Sequence, residues 1–254
     1  MIHYKSPEEI KIMRHGGKIL AEVLRETVEQ IRPGMTEIEV DKIAEDLIIK
    51  KGGYPGFKKV RGYHHATCIS TNNVVVHGIP SDRVLKEGDI IGVDCGVLFE
   101  GFNTDMADTV RVSNEKNSQE DEVDKFLKIG KSALEKAISV ATQGNRIGDV
   151  SKVIQEIVEG EGYSIVKSLI GHGVGKKLHE EPEVPGYLDR KIEKTPKIIT
   201  GMTFAIEVIY NMGGSEVSYD SADGWTISST DGSLSGLFER TVAITHQGTE
   251  ILTK

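Results

Sequence analysis

Asp94 and Asp105 flank a Glu100-Gly101 turn signal inside the run IIGVDCGVLFEGFNTDMADTVR, residues 90–111. The run reads as two apolar, β-branched strands joined by a two-residue turn, with Phe99 and Phe102 as the flanking pair. That turn sets Asp94 opposite Ala107 and Gly96 opposite Asp105. The two acids then share one face, diagonal to each other and within reach of one ion. Gly92 and Gly96 are expected to leave that face open. Two buried carboxylates repel, and desolvation costs each roughly several kcal/mol unless a cation lies between them. Glu207 in FAIEVIY and Glu239 in LFERTVAIT repeat the anomaly, because a carboxylate inside a β-branched strand is costly without a partner. The stretch SLIGHGVGKKLHEEP, residues 168–182, adds imidazoles. Glycines 171, 173 and 175 let backbone approach a ligand, His172 among them is a candidate ligand, and His179 lies in a separate turn suited to touch substrate. A lone Asp is ordinarily solvated and a lone His ordinarily a surface or satisfied core residue. The acids paired in register carry the chemical reading. Two Asp, two Glu and one His form an oxygen-rich set too charged for one ion. It suits two divalent metals bridged by carboxylates around an activated water, which is metal-assisted hydrolysis.

The elements that must hold these residues follow from pattern. Ser6-Pro7-Glu8-Glu9 opens a helix with a capping box, and its apolar positions, Ile10, Met13, Ile19, Leu20 and Leu24, run to about Ile31. Arg32-Pro33-Gly34 breaks it. Thr36 caps a second helix, about 37–51, with Ile38, Ile43, Leu47 and Ile48 as the apolar stripe. A loop leads to strand 67–71, an Asn72-Asn73 turn and strand 74–77. Residues 113–122, SNEKNSQEDE, read as a linker or helix lead-in, followed by a helix over about 120–141. The segment from Ala141 to Tyr163 then echoes that from Ile31 to Tyr54: helix end, glycine break, capped amphipathic helix, glycine, tyrosine. LKEGDIIGVD ending at Asp94 is likewise echoed by IITGMTFAIE ending at Glu207. Two similar α-then-β halves, roughly 1–115 and 120–254, are expected to share one sheet about a pseudo-twofold, with carboxylates from both near its centre.

Composition removes other classes. The 254 residues suffice for a real core, and the net charge of −8 argues against nucleic acid as the main partner. The local cluster Lys50, Lys51, Lys58, Lys59 and Arg61 reads as a solvated rim. The N-terminus lacks a signal-peptide apolar region, no run reaches membrane-spanning length, and Cys68 and Cys95 read as buried free thiols of a reducing cytoplasm.

The ordered set of strand Asp, hairpin Asp, GHGxG His and two strand Glu resembles the methionine aminopeptidases of the pita-bread metallopeptidases. The likeness covers nearly the whole chain. VVVHGIP at 74–80, GDIIGVDCGV at 88–97, NTDMADTV at 103–110, GHGVG and LHEEP within 171–182, and DGWT at 223–226 carry it. The length is similar to the short type I enzymes, with neither an N-terminal zinc-binding extension nor a large insertion. The resemblance implies an α+β pita-bread domain over 1–254, its pseudo-twofold-related halves forming one curved antiparallel sheet covered by helices. It implies that Asp94 chelates one metal, His172 and Glu207 the other, and that Asp105 and Glu239 bridge. His77 would assist the leaving amine, His179 would stabilise the oxyanion, and Glu207 would also act as general base. The first side chain would enter a pocket of Tyr63, Cys68, Trp225 and Phe57. The activity implied is removal of initiator methionine before a small second residue, with two ions of manganese, iron, cobalt or zinc. The partners implied are nascent-chain N-termini and transiently the ribosome, not DNA or membrane, and the protein is expected to be a cytoplasmic monomer.

This chain departs from the family pattern at Leu178 and Arg240, where an aromatic residue and His are usual, and at Val60 and His64 in the pocket loop. None of these is a metal ligand. The nearest rival is the Xaa-Pro peptidase branch of the same fold. Its separate N-terminal domain has no counterpart before His77, where the first helices and strands of the catalytic fold are expected. A non-catalytic peptide-binding module is the remaining alternative, and retention of all five candidate ligands argues against it.

Overall fold

The computed structural model describes residues 1–114 and 120–254, so residues 115–119 of the acidic stretch lie outside the described residues. The first half runs α1 (Pro7–Val28), α2 (Glu37–Lys50), β1 (Tyr54–Pro55), β2 (Thr67–Thr71), β3 (Val74–Val76), β4 (Ile90–Phe99) and β5 (Phe102–Arg111). The second runs α3 (Glu122–Val140), α4 (Ile147–Gly160), β6 (Ser164–Ile165), β7 (Gly171–Gly173), β8 (Glu180–Val184), β9 (Thr203–Asn211), β10 (Val217–Tyr219), β11 (Ile227–Ser229), β12 (Ser235–Thr245) and β13 (Gly248–Ile251).

Helix starts follow their caps. Ser6 Oγ accepts the Glu9 N–H while the Glu9 carboxylate accepts the Ser6 N–H, and Thr36 with Glu39 repeats the arrangement at α2. Asp121 caps α3, and the Asp149 carboxylate accepts the Arg146 N–H at α4. The breaks before α2 and α4 both use a left-handed glycine, Gly34 at φ +93° and Gly144 at φ +99°.

The face that α2 buries differs from the expected stripe. Glu37, Val40, Asp41, Ala44 and Ile48 are buried, whereas Ile38 is exposed and Ile43 and Leu47 are half-buried. The helix is rotated because two of its acids point inward and satisfy loop groups. Asp41 Oδ1 accepts from the Ala66 and Thr67 amides and from Thr67 Oγ1, and Glu37 accepts from Thr71 Oγ1, Ser81 N and Ser81 Oγ.

Among the described residues, the main sheet has the order β1-β4-β5-β12-β9-β7-β8, with β2 beside β4, β13 beside β12 and β6 beside β9. Its pairings are antiparallel. The β4–β5 hairpin has the expected register, Asp94 opposite Ala107 and Gly96 opposite Asp105. Its turn is made by Glu100 at φ +45° and Gly101 at φ +84°, the doubly left-handed geometry that suits strand twist. Strand β3 joins a separate three-stranded sheet, β10-β11-β3, instead of extending a hairpin with β2, and it ends at Val76.

Strand alternation divides the sheet. Ile91, Val93, Cys95 and Val97 of β4 pack with α1 and α2, and Phe204, Ile206, Val208 and Tyr210 of β9 pack with α3 and α4. Gly130 lets α3 sit directly on β9, since a Cβ there would lie 2.4 Å from the Tyr210 hydroxyl. Both helix pairs thus cover one face, and the opposite face carries Asp94, Asp105, Glu207 and Glu239. The order β4-β5-β12-β9 sets hairpin strand against hairpin strand, so Asp94 and Glu207 occupy matching places on the outer strands.

Candidate active site

Three pairings place the acids. Asp94 faces Ala107, Ala107 faces Glu239, and Glu239 faces Glu207, so one row crosses four strands. Asp105 lies one same-face step along β5. The short strand β7 reaches β9 through Gly173 opposite Phe204 and brings in His172. Its Nε2 lies 3.8 Å from Glu207 Oε1 and 3.9 Å from Asp105 Oδ2. Asp105, His172 and Glu239 present donor atoms that all lie within 4.8 Å of one another.

The hydrogen bonds orient these groups toward a common point. His172 Nδ1 is 3.0 Å from the Gly173 carbonyl, which only accepts, so Nδ1 carries the proton and Nε2 turns its lone pair to the carboxylates. The Met106 N–H donates to Asp105 Oδ1 at 3.1 Å, which leaves Oδ2 to face His172. Asp94 Oδ1 and Glu239 Oε1 are buried and have no hydrogen-bond partner among the described residues. Unpartnered carboxylate oxygens are expensive in a protein interior, and a divalent cation relieves them. The donor set, oxygen-rich with one imidazole, fits such an ion.

The electrostatics of the site carry the same strain. Burial first, then the neighbouring Asp105 and Glu207 charges, push Asp94 well above the usual carboxylate range, and Glu239 likewise. Burial raises Asp105 to about 7, and burial with the Asp105 charge raises Glu207 to about 8. Burial and the neighbouring His179 lower His172 to about 4, so its ring is neutral at physiological pH. His77 and His179 are lowered as well, by burial and, for His77, by His179.

The two outer histidines arrive on turns. His77 follows β3 at φ +55°, a conformation disfavoured for a residue with a side chain, and Gly78 behind it passes so close to Ile69 that a Cβ would lie 2.0 Å from its carbonyl oxygen. Glu37 ties down both sides of this turn, at Thr71 and Ser81. His179 lies just before β8 at the exposed rim of the cleft, its ring packed 4.2 Å from that of His172 and so partly desolvated.

At one end the cleft is apolar. Phe57, Tyr63 and Cys68 are buried together, with Val60, Ile79, Leu178 and Trp225 packed against them. Tyr63 donates to the Thr67 carbonyl at 2.7 Å and meets Trp225 edge to face at 5.1 Å. Asp223 accepts from the Trp225 and Thr226 amides and from Thr226 Oγ1, so the DGWT motif is a turn that presents the tryptophan. The face beside Asp94 is not left open as its glycines suggested. A Cβ on Gly96 would lie 2.9 Å from the Phe57 ring, so this glycine admits Phe57 next to the acids.

All residues singled out from sequence, Phe57, Tyr63, Cys68, His77, Asp94, Asp105, His172, His179, Glu207, Trp225 and Glu239, line one cleft of about 840 Å³. Val76, Leu169, Ile209 and Leu237 also line it and were not anticipated. Ile209 and Leu237 were recoverable, since each lies two residues from a strand glutamate and so shares its face. Leu178 and Val60 pack at the apolar end, His64 is exposed, and Arg240 lies behind the sheet, paired with Asp108 at 2.9 Å. In the basic cluster, Lys51 pairs with Glu22 and Glu26, and Lys58 with Glu45.

The profile of metallopeptidase family M24 matches residues 11–246. A methionine aminopeptidase of Clostridium perfringens is 44% identical over 253 residues, covering 100% of this chain and 99% of the relative. The crystal structure of a methionine aminopeptidase from Thermotoga maritima superposes with a TM-score of 0.93 at 41% identity over 100% of both chains. A prolidase from Pyrococcus furiosus shares the fold, with a TM-score of 0.77 at 24% identity, over 99% of this chain and 65% of that one. The acid-bearing strands, the α+β pita-bread arrangement and the likeness along the full chain agree: the chain belongs to metallopeptidase family M24, among its methionine aminopeptidases.

Proposed function

We propose that this protein removes the N-terminal methionine from peptides by metal-dependent hydrolysis, preferring a small second residue. One observation carries the reading. Four carboxylates, Asp105 and Glu239 buried and Asp94 and Glu207 half-buried, converge with a neutral imidazole on the floor of a cleft, two of their oxygens lack any partner among the described residues, and an aromatic apolar pocket opens beside them. Two divalent ions, of manganese, iron, cobalt or zinc, suit this donor set. Asp94 would hold one, His172 and Glu207 would hold the other, and Asp105 and Glu239 would be shared between them. Such ions supply Lewis-acid polarisation of the scissile carbonyl and make water a nucleophile at neutral pH.

The chain's own groups do the rest. Phe57, Tyr63, Cys68 and Trp225 receive the methionine side chain and fix the first residue. Glu207 takes the proton of the attacking water. His179, its pKa lowered by desolvation within the cleft, donates a ring N–H to the developing oxyanion, and His77 assists the leaving amine. We place the protein in the cytoplasm as a monomer that meets nascent-chain N-termini with transient ribosome contact. Its two halves, roughly 1–115 and 120–254, work as one catalytic domain over 1–254. The net charge of −8 and two buried free cysteines support that setting, and no helix among the described residues is long and apolar enough to cross a membrane.

The test uses metal-stripped protein restored with manganese, cobalt or iron(II) and offered Met-Ala-Ser, Leu-Ala-Ser and Ala-Pro-Ala, with products followed by mass spectrometry. Metal-dependent release of methionine alone is expected. Cleavage before proline would move the protein to the Xaa-Pro branch, and no release from a folded sample would make it a binding module.

A further inference from the structure

The two halves meet at the seam between β5 and β12, and this seam is built unlike its neighbours. Ten residue pairs join β4 to β5 and nine join β9 to β12, but only Glu239 with Ala107 and Arg240 with Met106 register across the seam. On either side of that short contact, a threonine hydroxyl replaces the backbone ladder. Thr241 Oγ1 accepts the Asp105 N–H at 2.9 Å and donates to the Asp105 carbonyl at 2.8 Å. Thr109 Oγ1 accepts the Leu237 N–H at 2.9 Å and donates to the Leu237 carbonyl at 2.8 Å. The two bridges are related by the pseudo-twofold: Ala107 faces Glu239, Thr109 and Thr241 each follow by two residues, and Leu237 and Asp105 each precede by two. A hydroxyl inserted between strands holds them wider than a direct ladder, whose spacing is about 4.7–4.9 Å, and leaves no amide or carbonyl unsatisfied.

From behind the sheet, Arg240 closes the centre of the seam. Its Nη1 donates to the Ala107 carbonyl at 3.1 Å and the Glu239 carbonyl at 2.7 Å, while Nη2 grips Asp108. The arrangement is functionally unequal despite its symmetry. Thr109 holds Leu237, an apolar wall residue. Thr241 holds Asp105, whose carboxylate is itself oriented by the Met106 amide toward His172.

We infer that Thr241 is a positioning residue for the metal centre: its hydroxyl, wedged across the seam, sets the backbone of Asp105 and hence the spacing of the bridging acids, while Thr109 is its structural twin. The inference rests on the metal reading above.

The twin supplies the control. Thr241→Val and Thr109→Val each remove one hydroxyl at nearly constant volume and each orphan one amide and one carbonyl, so both are expected to lower thermal stability similarly. Calorimetric titration with manganese(II) alone separates them. Thr241→Val is expected to weaken binding by about ten-fold or more and Thr109→Val by less than about two-fold, with Thr241→Ser restoring affinity. Equal losses in the two valine variants, or no loss in either, would overturn the inference while leaving the metal reading intact. A parent protein that takes up no manganese would overturn both. Should Thr241→Val not fold, hydrogen exchange of the parent decides. Manganese should slow the Asp105 amide more than the Leu237 amide, and equal slowing would refute the role.

Discussion

Asp94, Asp105, Glu207 and Glu239 ride on four long strands whose mutual register leaves each acid one place, whereas Phe57 and Tyr63 reach the cleft on one loop between β1 and β2 and Trp225 on a short turn far along the chain. Shifting one of those strands by a residue would turn its acid into the helix-covered core, so the floor is specified by the same pattern that specifies the fold. The apolar end depends on local anchors instead, Asp41 holding Thr67, whose carbonyl takes the Tyr63 hydroxyl, and Asp223 holding the Trp225 amide. Chemistry placed on strands is hard to move without unfolding the protein. Selectivity placed on turns can change residue by residue, and the departures at Val60, His64 and Leu178 all lie there.

The largest effect that tests this division is on the floor. Glu207→Gln keeps shape and removes both the proposed proton acceptor and a charged group proposed to hold metal, so kcat should fall by at least about 10²–10⁴-fold. Folding should survive, because the variant no longer buries a carboxylate that must ionise beside Asp105. Steady-state kinetics and a thermal melt on the same sample check both halves of that statement. Next comes His179→Ala, expected to cost about 10²–10³-fold in kcat with little change in KM, as for the loss of one oxyanion donor. A large KM change would put His179 in ground-state binding instead.

How far each region was legible in sequence follows the same line. The hairpin register, the facing acids and the echo between Asp94 and Glu207 could be read because strand period and turn chemistry act over a few residues. The rotation of α2 could not. Its hydrophobic pattern favours burying Ile38, and only the distant amides of residues 66, 67 and 81 explain why Glu37 and Asp41 turn inward. Gly96 misled for a related reason, since the ring that fills its place belongs to Phe57, about forty residues earlier in the chain. The threonine bridges were equally hidden. Thr109 and Thr241 look like ordinary strand residues until β5 and β12 are laid side by side.

Trp225→Ala attacks the other region. Removing this wall should lower kcat/KM for Met-Ala-Ser by at least about 10- to 200-fold, the range already reached by one methylene contact in an apolar pocket, with the loss mainly in KM and manganese affinity unchanged. The floor, in turn, has a pH signature. Asp105 and Glu207 titrate at about 7 and 8 in the folded chain and near about 4 when unfolded, so the metal-free protein binds protons on folding between those values. Its stability should therefore fall as pH rises. The lowered histidines act with the opposite sign up to about pH 6.5, where the unfolded imidazoles lose their protons. Between about pH 6.5 and 8 the carboxylates act alone, and the melting temperature of metal-free protein should drop by several degrees across that window. Manganese should abolish the drop, and Glu207→Gln should reduce it.

Leu178→Phe should have the smallest effect and draws the sharpest line between the regions. Leu178 is half-buried, packed beside Phe57, Tyr63 and Trp225 but open to the cleft on one side. An added ring can extend along that open side, so it need not incur the roughly 1–3 kcal/mol of an overpacked core. The variant should melt within about 2 °C of the parent, since a change well below 1 kcal/mol moves a domain of this size no further. It should alter the preference for Met-Ala-Ser over Leu-Ala-Ser by less than about ten-fold, below the effect of one methylene in a closed apolar pocket, because the cleft is open beside this side chain. Manganese affinity should not move, because no acid or imidazole of the floor is held by Leu178. If affinity did change, the turn carrying His179 would be shaping the metal-binding floor as well as the pocket, and the two regions would have to be treated as one.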